Sequence, residues 1–143
     1  MPTRSGSAVW RGDLQSGDGN LTVGDGVFEG AYSFKSRFEE GEGTNPEELI
    51  AAAHAACFAM AFSNILDGEG HTPESVEASA RVVLKEVDGA PTLARIELKA
   101  DGKVPGIDED EYQRLAEQAK KDCPVSRALG AVPEIRLEAT LKQ

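Results

Sequence analysis

The sequence predicts an α+β fold in which antiparallel sheets surround one long hydrophobic helix. Three observations carry this expectation. Much of the chain alternates apolar and polar residues with the period of two that marks strands. The helical segments are too few and too unevenly spaced for a doubly wound parallel sheet. The run Leu49 to Phe62, LIAAAHAACFAMAF, is apolar nearly all the way round, so it belongs at the centre of a structure and needs cover on more than one side.

Ser7 to Leu14 (SAVWRGDL) reads as a first strand, and the glycines at 17, 19, 24 and 26 bound a short second one around Leu21 to Val23. Ala31 to Phe38 (AYSFKSRF) reads as a third, with Tyr32, Phe34 and Phe38 opposite Ser33, Lys35 and Arg37; Ser36 falls among the aromatics. After the loop Glu39 to Thr44, Asn45 is a good N-cap, Pro46 fits the first helical position, and Glu48 is placed to complete a capping box. That helix should run to about Leu66 and stop before Gly68 and Gly70. Val76 to Val87 alternates again, Asp88-Gly89 signals a hairpin, and the return strand carries Ala94, Ile96, Leu98 and Ala100 on one face. Asp108 and Glu111 suggest a second capping box. The helix after it lines up Tyr112, Leu115, Ala116, Ala119 and Cys123, Pro124 interrupts it, and Val125 to Leu129 is a further short helix. A last strand places Ile135, Leu137, Ala139 and Leu141 on one face.

The chain of 143 residues suits one domain spanning residues 1–143, and at 40% hydrophobic residues it can bury a core. A formal net charge of −10 argues against nucleic acid, because phosphate contacts need clustered Lys and Arg, and against anionic membrane surfaces. No stretch is expected to span a bilayer. Met1 to Trp10 has one Arg and no apolar run, so no signal peptide is expected there and a cytoplasmic setting is.

The only cysteines, Cys57 and Cys123, lie 66 positions apart (123 − 57), which is no disulfide framework. In a reducing compartment such a pair is an inert couple of core thiols, a redox pair or part of a metal site. Mid-helix burial alone would raise the pKa of Cys57, so a catalytic role requires a cation nearby. His54, three residues earlier on the same face, is either a base or a hydrogen-bonded core histidine. Cys123 precedes a proline, is biased out of the helical region, and is placed to cap the next short helix. A metal site from His54, Cys57, His71 and Cys123 lacks the paired ligand spacings that usually build one, so no metal is expected.

The run Gly43 to Ser63 (GTNPEELIAAAHAACFAMAFS) resembles the core motif of the osmotically inducible protein C family, sister to the organic hydroperoxide resistance proteins. The segments SRFEEGEGTNPEEL, VPGID (Val104 to Asp108) and KKDCPVSRAL (Lys120 to Leu129) extend the resemblance over nearly the whole chain. The HAACF form and Ser36-Arg37-Phe38 favour the osmotically inducible branch. The resemblance implies a two-cysteine peroxidase of oxidative and osmotic stress defence, acting on organic hydroperoxides. It implies an intertwined homodimer with active sites at the interface, no bound cofactor, and an external dithiol reductant, of lipoyl type in the sister branch. By the same resemblance Cys57 is the peroxidatic thiol, Cys123 resolves it, Arg37 stabilises the thiolate, and Glu47 orients the arginine. Ten helical residues rise ~15 Å, so Glu47 can act on Cys57 only through Arg37. Without the resemblance, Arg37 reads as an exposed charge and Glu47 as a first-turn carboxylate. The alternative function is a non-catalytic binding or structural protein on the same fold.

Overall fold

The computed structural model describes residues 2–143 and divides into two compact units, Met1–Leu49 and Ile50–Gln143. In the first, β1 (Gly6–Arg11), β2 (Asp18–Val23) and β3 (Phe28–Tyr32) form an antiparallel meander in the order β1-β2-β3. The strand expected over 31–38 forms only at Ala31 and Tyr32, the end of β3. The chain leaves β3 at Tyr32 and turns into the one-turn helix α1 (Phe34–Phe38). The cause is local. Ser33 and Ser36 make a complete capping box, each side chain bonding the other's backbone N–H at 3.1 and 2.8 Å. This side-chain pairing outcompetes the weak alternation of the aromatics.

Helix α2 (Pro46–Gly68) starts at the expected place. The Asn45 carboxamide oxygen accepts the Glu48 N–H at 2.8 Å, but the box is half-formed, since the Glu48 carboxylate takes the Thr44 hydroxyl at 2.9 Å instead. The sequence reading of bilayer-spanning segments is also corrected. At 23 residues, α2 is long and apolar enough to cross a membrane by length and composition, because its run of alanines counts as apolar. One face of the helix, His54, Phe58, Phe62 and Leu66 at four-residue spacing, is fully buried in the core, while only 22% of the apolar stretch as a whole is buried.

In the second unit β4 (Ser75–Val87) and β5 (Ala90–Lys103) form a long antiparallel hairpin. Asp88 and Gly89 adopt φ values of 52° and 81°, both in the left-handed region that the tightest hairpin turn requires. Strand β6 (Ile135–Lys142) corrects the expectation of purely antiparallel sheets: it pairs parallel to β5 in the order β4-β5-β6. Between them α3 (Glu109–Asp122) and α4 (Pro124–Ala128) return the chain to the same end of the sheet, and such a helical crossover is what permits parallel pairing.

The core joins Phe58, Phe62 and Leu66 of α2 to Ile96, Leu98 and Ala100 of β5 and Tyr112, Leu115, Ala116 and Ala119 of α3. Tyr112 lies over Gly102, where an added Cβ would sit 2.7 Å from the phenol oxygen, so only glycine leaves room. Its hydroxyl donates to Thr140 O at 2.9 Å, which ties α3 to β6. Asp108 caps α3 by accepting the Glu111 N–H at 2.9 Å, while the Glu111 carboxylate turns to His71 and Arg114. The second capping box is therefore also half-formed.

Candidate active site

Cys123 is where α3 ends and α4 begins. Its φ and ψ of −53° and 126° leave the helical region, as its place before Pro124 dictates. Its N–H still closes α3 on Ala119 O at 2.9 Å, and its own C=O accepts the Arg127 N–H at 3.0 Å to open α4. This double use fixes the backbone of Cys123 against the core, where the residue is fully buried. Cys57, half-buried in the middle of α2, meets it: the two Sγ atoms are 2.9 Å apart, both as free cysteines. A disulfide bond is ~2.05 Å long, so the sulfurs are within an ångström of bonding distance.

Two thiols this close act on each other's ionisation. Burial pushes the Cys57 thiol up, and its hydrogen bond with Cys123 pushes it further; the Val125 N–H offsets this only in part. Burial also pushes Cys123 up, but the hydrogen bond from Cys57, the N–H and hydroxyl of Ser126 and the N–H of Val125 outweigh it, and Cys123 lies below its usual value. The N–H groups at the start of α4 favour its thiolate without making an aligned cap hydrogen bond. With both protons present Cys123 can donate to Cys57. Once one is lost, the charge rests better on Cys123. No cation is among the groups acting on Cys57.

His54 is fully buried and bonds Ser126 Oγ through Nε2 at 2.6 Å, so it is the hydrogen-bonded core histidine, with burial holding its pKa down. His71 lies 3.5 Å from Glu111. Among the described residues, no three of His, Cys, Asp and Glu gather as a metal site would require.

Arg37 and Glu47 belong to the first unit. The Arg37 Nε and Nη2 donate to Glu47 Oε1 and Oε2, each at 3.0 Å, a bidentate fork. Glu47, not Glu48, is therefore the arginine's partner. The surroundings hold this pair in place. Ser36 Oγ donates to Thr44 O at 2.7 Å and Asn45 Nδ2 to Ser36 O at 2.8 Å, pinning α1 to the start of α2. Gly43, at φ 109°, allows the close turn: an added Cβ would sit 2.5 Å from Ala31 O. The guanidinium lies 5.3 Å from the Phe38 ring centroid and keeps Nη1 free of the fork. Its side chain is 38% exposed against 10% for Glu47.

Sequence reasoning gave no role to Ser126 or Ser33. Ser33-x-x-Ser36 spacing was the available signal for the α1 cap, and for Ser126 it was a hydroxyl three residues after Cys123, at the third position of a helix begun by Pro124.

The family model described as OsmC-like protein matches residues 39–138 of the chain. Peroxiredoxin OsmC of Escherichia coli (strain K12) is 45% identical over 140 residues, covering 97% of this chain and 96% of that protein. Organic hydroperoxide resistance protein OhrB of Bacillus subtilis (strain 168) is 30% identical over 122 residues, covering 84% and 88%. The crystal structure of Bacillus subtilis OhrB superposes with a TM-score of 0.70 at 25% identity, covering 96% of this chain and 98% of that one.

Proposed function

The chain belongs to the OsmC-like protein family, and from that premise we propose that it is a cysteine peroxidase reducing organic hydroperoxides to alcohols. The observation that carries the reading is the 2.9 Å contact of a half-buried Cys57 with a fully buried Cys123. The names of the relatives, peroxiredoxin and organic hydroperoxide resistance protein, support the same chemistry.

The Cys57 thiolate attacks the distal oxygen of the hydroperoxide. The O–O bond breaks, and the alkoxide leaves and takes a proton to become the alcohol. Cys57 is now a sulfenic acid. The Cys123 thiolate attacks its sulfur, hydroxide leaves and is protonated to water, and a disulfide forms. An external dithiol, of lipoyl type by the family resemblance, reduces the disulfide by two exchanges. No bound cofactor or metal enters these steps.

The thiolate of Cys57 needs a positive charge, because burial and Cys123 both oppose its ionisation. We assign that charge to Arg37, with Glu47 holding its fork so that the remaining edge is free for sulfur and peroxide. The face of α2 carrying Leu49, Ala52, Ala53, Ala56 and Met60 is exposed on the single chain, Met60 to 76%. We propose that a second copy covers it, as a homodimer with its active sites at the interface. We place the protein in the cytoplasm, where reducing conditions return both cysteines to thiols between turnovers.

The test is steady-state peroxide consumption by the purified protein. Cumene hydroperoxide with a dithiol should support turnover well above that with hydrogen peroxide or with a monothiol. Thiols that ignore cumene hydroperoxide would leave a non-catalytic binding role.

A further inference from the structure

The fully buried face of α2 reads His54, Phe58, Phe62, Leu66. An imidazole there is costly, because a buried polar group without full hydrogen bonding forfeits its hydration, and a leucine or phenylalanine would pack without that loss. His54 has one partner, the hydroxyl of Ser126 at 2.6 Å, and its Nδ1 has none among the described residues. The bare Nδ1 favours one direction for this bond. If Ser126 donated to Nε2, the ring proton would sit on Nδ1 as a buried donor without an acceptor, the rarer and costlier defect. With the proton on Nε2, His54 donates to Ser126 Oγ, and the single O–H of Ser126 is free to turn elsewhere. Ser126 is 6% exposed and stands three residues after Cys123, at the third position of the helix that Cys123 opens, within one helical turn of it. The N–H and hydroxyl of Ser126 both act to lower the Cys123 pKa.

We propose that His54 and Ser126 are positioning residues for Cys123: a buried chain, Nε2–H to Oγ and O–H to Sγ, that makes Cys123 the leaving sulfur when a dithiol reduces the disulfide. This inference rests on the two-cysteine reading above.

The exchange follows from burial and leaving-group chemistry. The fully buried Cys123 is out of reach, so the incoming thiolate attacks Cys57 Sγ. The S–S bond breaks, its electron pair goes to Cys123, and Cys123 leaves as a thiolate that accepts the Ser126 hydroxyl. The second thiolate of the reductant then attacks its own mixed-disulfide sulfur, releasing Cys57 as a thiolate and closing the oxidised reductant. The two protons given up by the dithiol are available to the two cysteines. A sulfur stabilised as thiolate leaves faster, so the hydrogen-bond chain directs both the site and the rate of reduction. The titratable neighbours that bear on Cys123 are Cys57 directly and His54 through Ser126.

The test needs no peroxide. The disulfide is formed with diamide, and its reduction by dithiothreitol is followed by stopped flow across pH. Ser126→Ala should slow reduction about tenfold, the worth of one hydrogen bond to a charged group. Ser126→Thr should restore most of the rate. His54→Gln, which can still offer an N–H, should stay near the parent, whereas His54→Leu should fall with Ser126→Ala, and the double variant should be little worse than either. In the Cys57→Ser background, the ultraviolet thiolate titration of Cys123 should move to higher pH in Ser126→Ala. A folded Ser126→Ala protein with parent-like reduction and an unmoved Cys123 titration would overturn the inference and leave the peroxidase reading standing. Loss of peroxide turnover with these shifts intact would do the reverse.

Discussion

The Arg37–Glu47 pair and the Cys57–Cys123 pair are built by opposite means. The ion pair joins residues ten positions apart and is held by short-range hydrogen bonds from Ser36 and Asn45, with the guanidinium still partly in solvent. The thiol pair joins residues 66 positions apart: local hydrogen bonds at the α3–α4 junction set the Cys123 backbone, but only packing in the core brings Cys57 of α2 to it. Each lacks what the other has. The ion pair offers a fixed positive edge and no nucleophile. The thiol pair offers a nucleophile whose ionisation burial opposes. On the proposed reading, the half-exposed charge of one pair activates the half-buried sulfur of the other, and the variants below test that coupling.

The largest effects should come from separating the two thiols. Cys57→Ser should abolish turnover. Cys123→Ser should consume about one peroxide per site and stall, with the sulfenic acid on Cys57 going on to sulfinic acid. Peroxide consumed per thiol, together with the mass of the oxidised protein, reads both outcomes. A Cys123→Ser protein as dead in its first turnover as Cys57→Ser would reverse or erase the roles.

Next in size is the ion pair. Arg37→Ala should move the Cys57 titration upward and slow peroxide attack by about ten- to a thousandfold, the range that an opposite charge at close quarters commands. Arg37→Lys should recover only part, since an ammonium has no fork to hold Glu47 and face sulfur together. Glu47→Gln should slow the reaction by loosening the arginine, and the double variant should match Arg37→Ala because the two act as a unit. The pH dependence of Cys57 alkylation in each variant is the measurement. An unmoved titration in Arg37→Ala would return Arg37 to a surface charge, and additive losses would give Glu47 a separate task.

The same contrast explains what the sequence disclosed. Helix α2 was legible because a cap, a proline and an uninterrupted apolar run agree. The β4–β5 hairpin was legible because alternation and Asp88-Gly89 agree. Helix α1 was not, because five residues are too few to show a helical period and Tyr32, Phe34 and Phe38 mimic a strand. The parallel pairing of β6 was hidden because alternation specifies faces and not direction. In the site, the cysteines, Arg37 and Glu47 could be named from the resemblance, yet the sulfur contact could not be read across 66 positions of chain. Ser126 was invisible because a lone hydroxyl carries no pattern, and only the buried imidazole opposite it gives it meaning.

The smallest effect sharpens the buried side of the comparison. Burial holds the His54 pKa in the folded protein below its ordinary value of 6.5. Above that pH the ring is neutral in both states and adds no pH dependence. As pH falls below 6.5, the unfolded chain takes up a proton that the folded one refuses, so the unfolded state binds more protons and stability falls with pH. The loss grows until the depressed folded value is passed and then levels off. His54→Gln keeps an N–H for Ser126 but has nothing to titrate, so its stability should decline less steeply in this window. The carboxylates titrate in both proteins, and subtracting the two profiles cancels them to the extent that the substitution leaves their surroundings unchanged. Urea midpoints from neutral to mildly acidic pH, with both cysteines reduced, give the difference. Parallel profiles would mean that His54 is as readily protonated folded as unfolded, which a fully buried imidazole facing only a hydroxyl should not be.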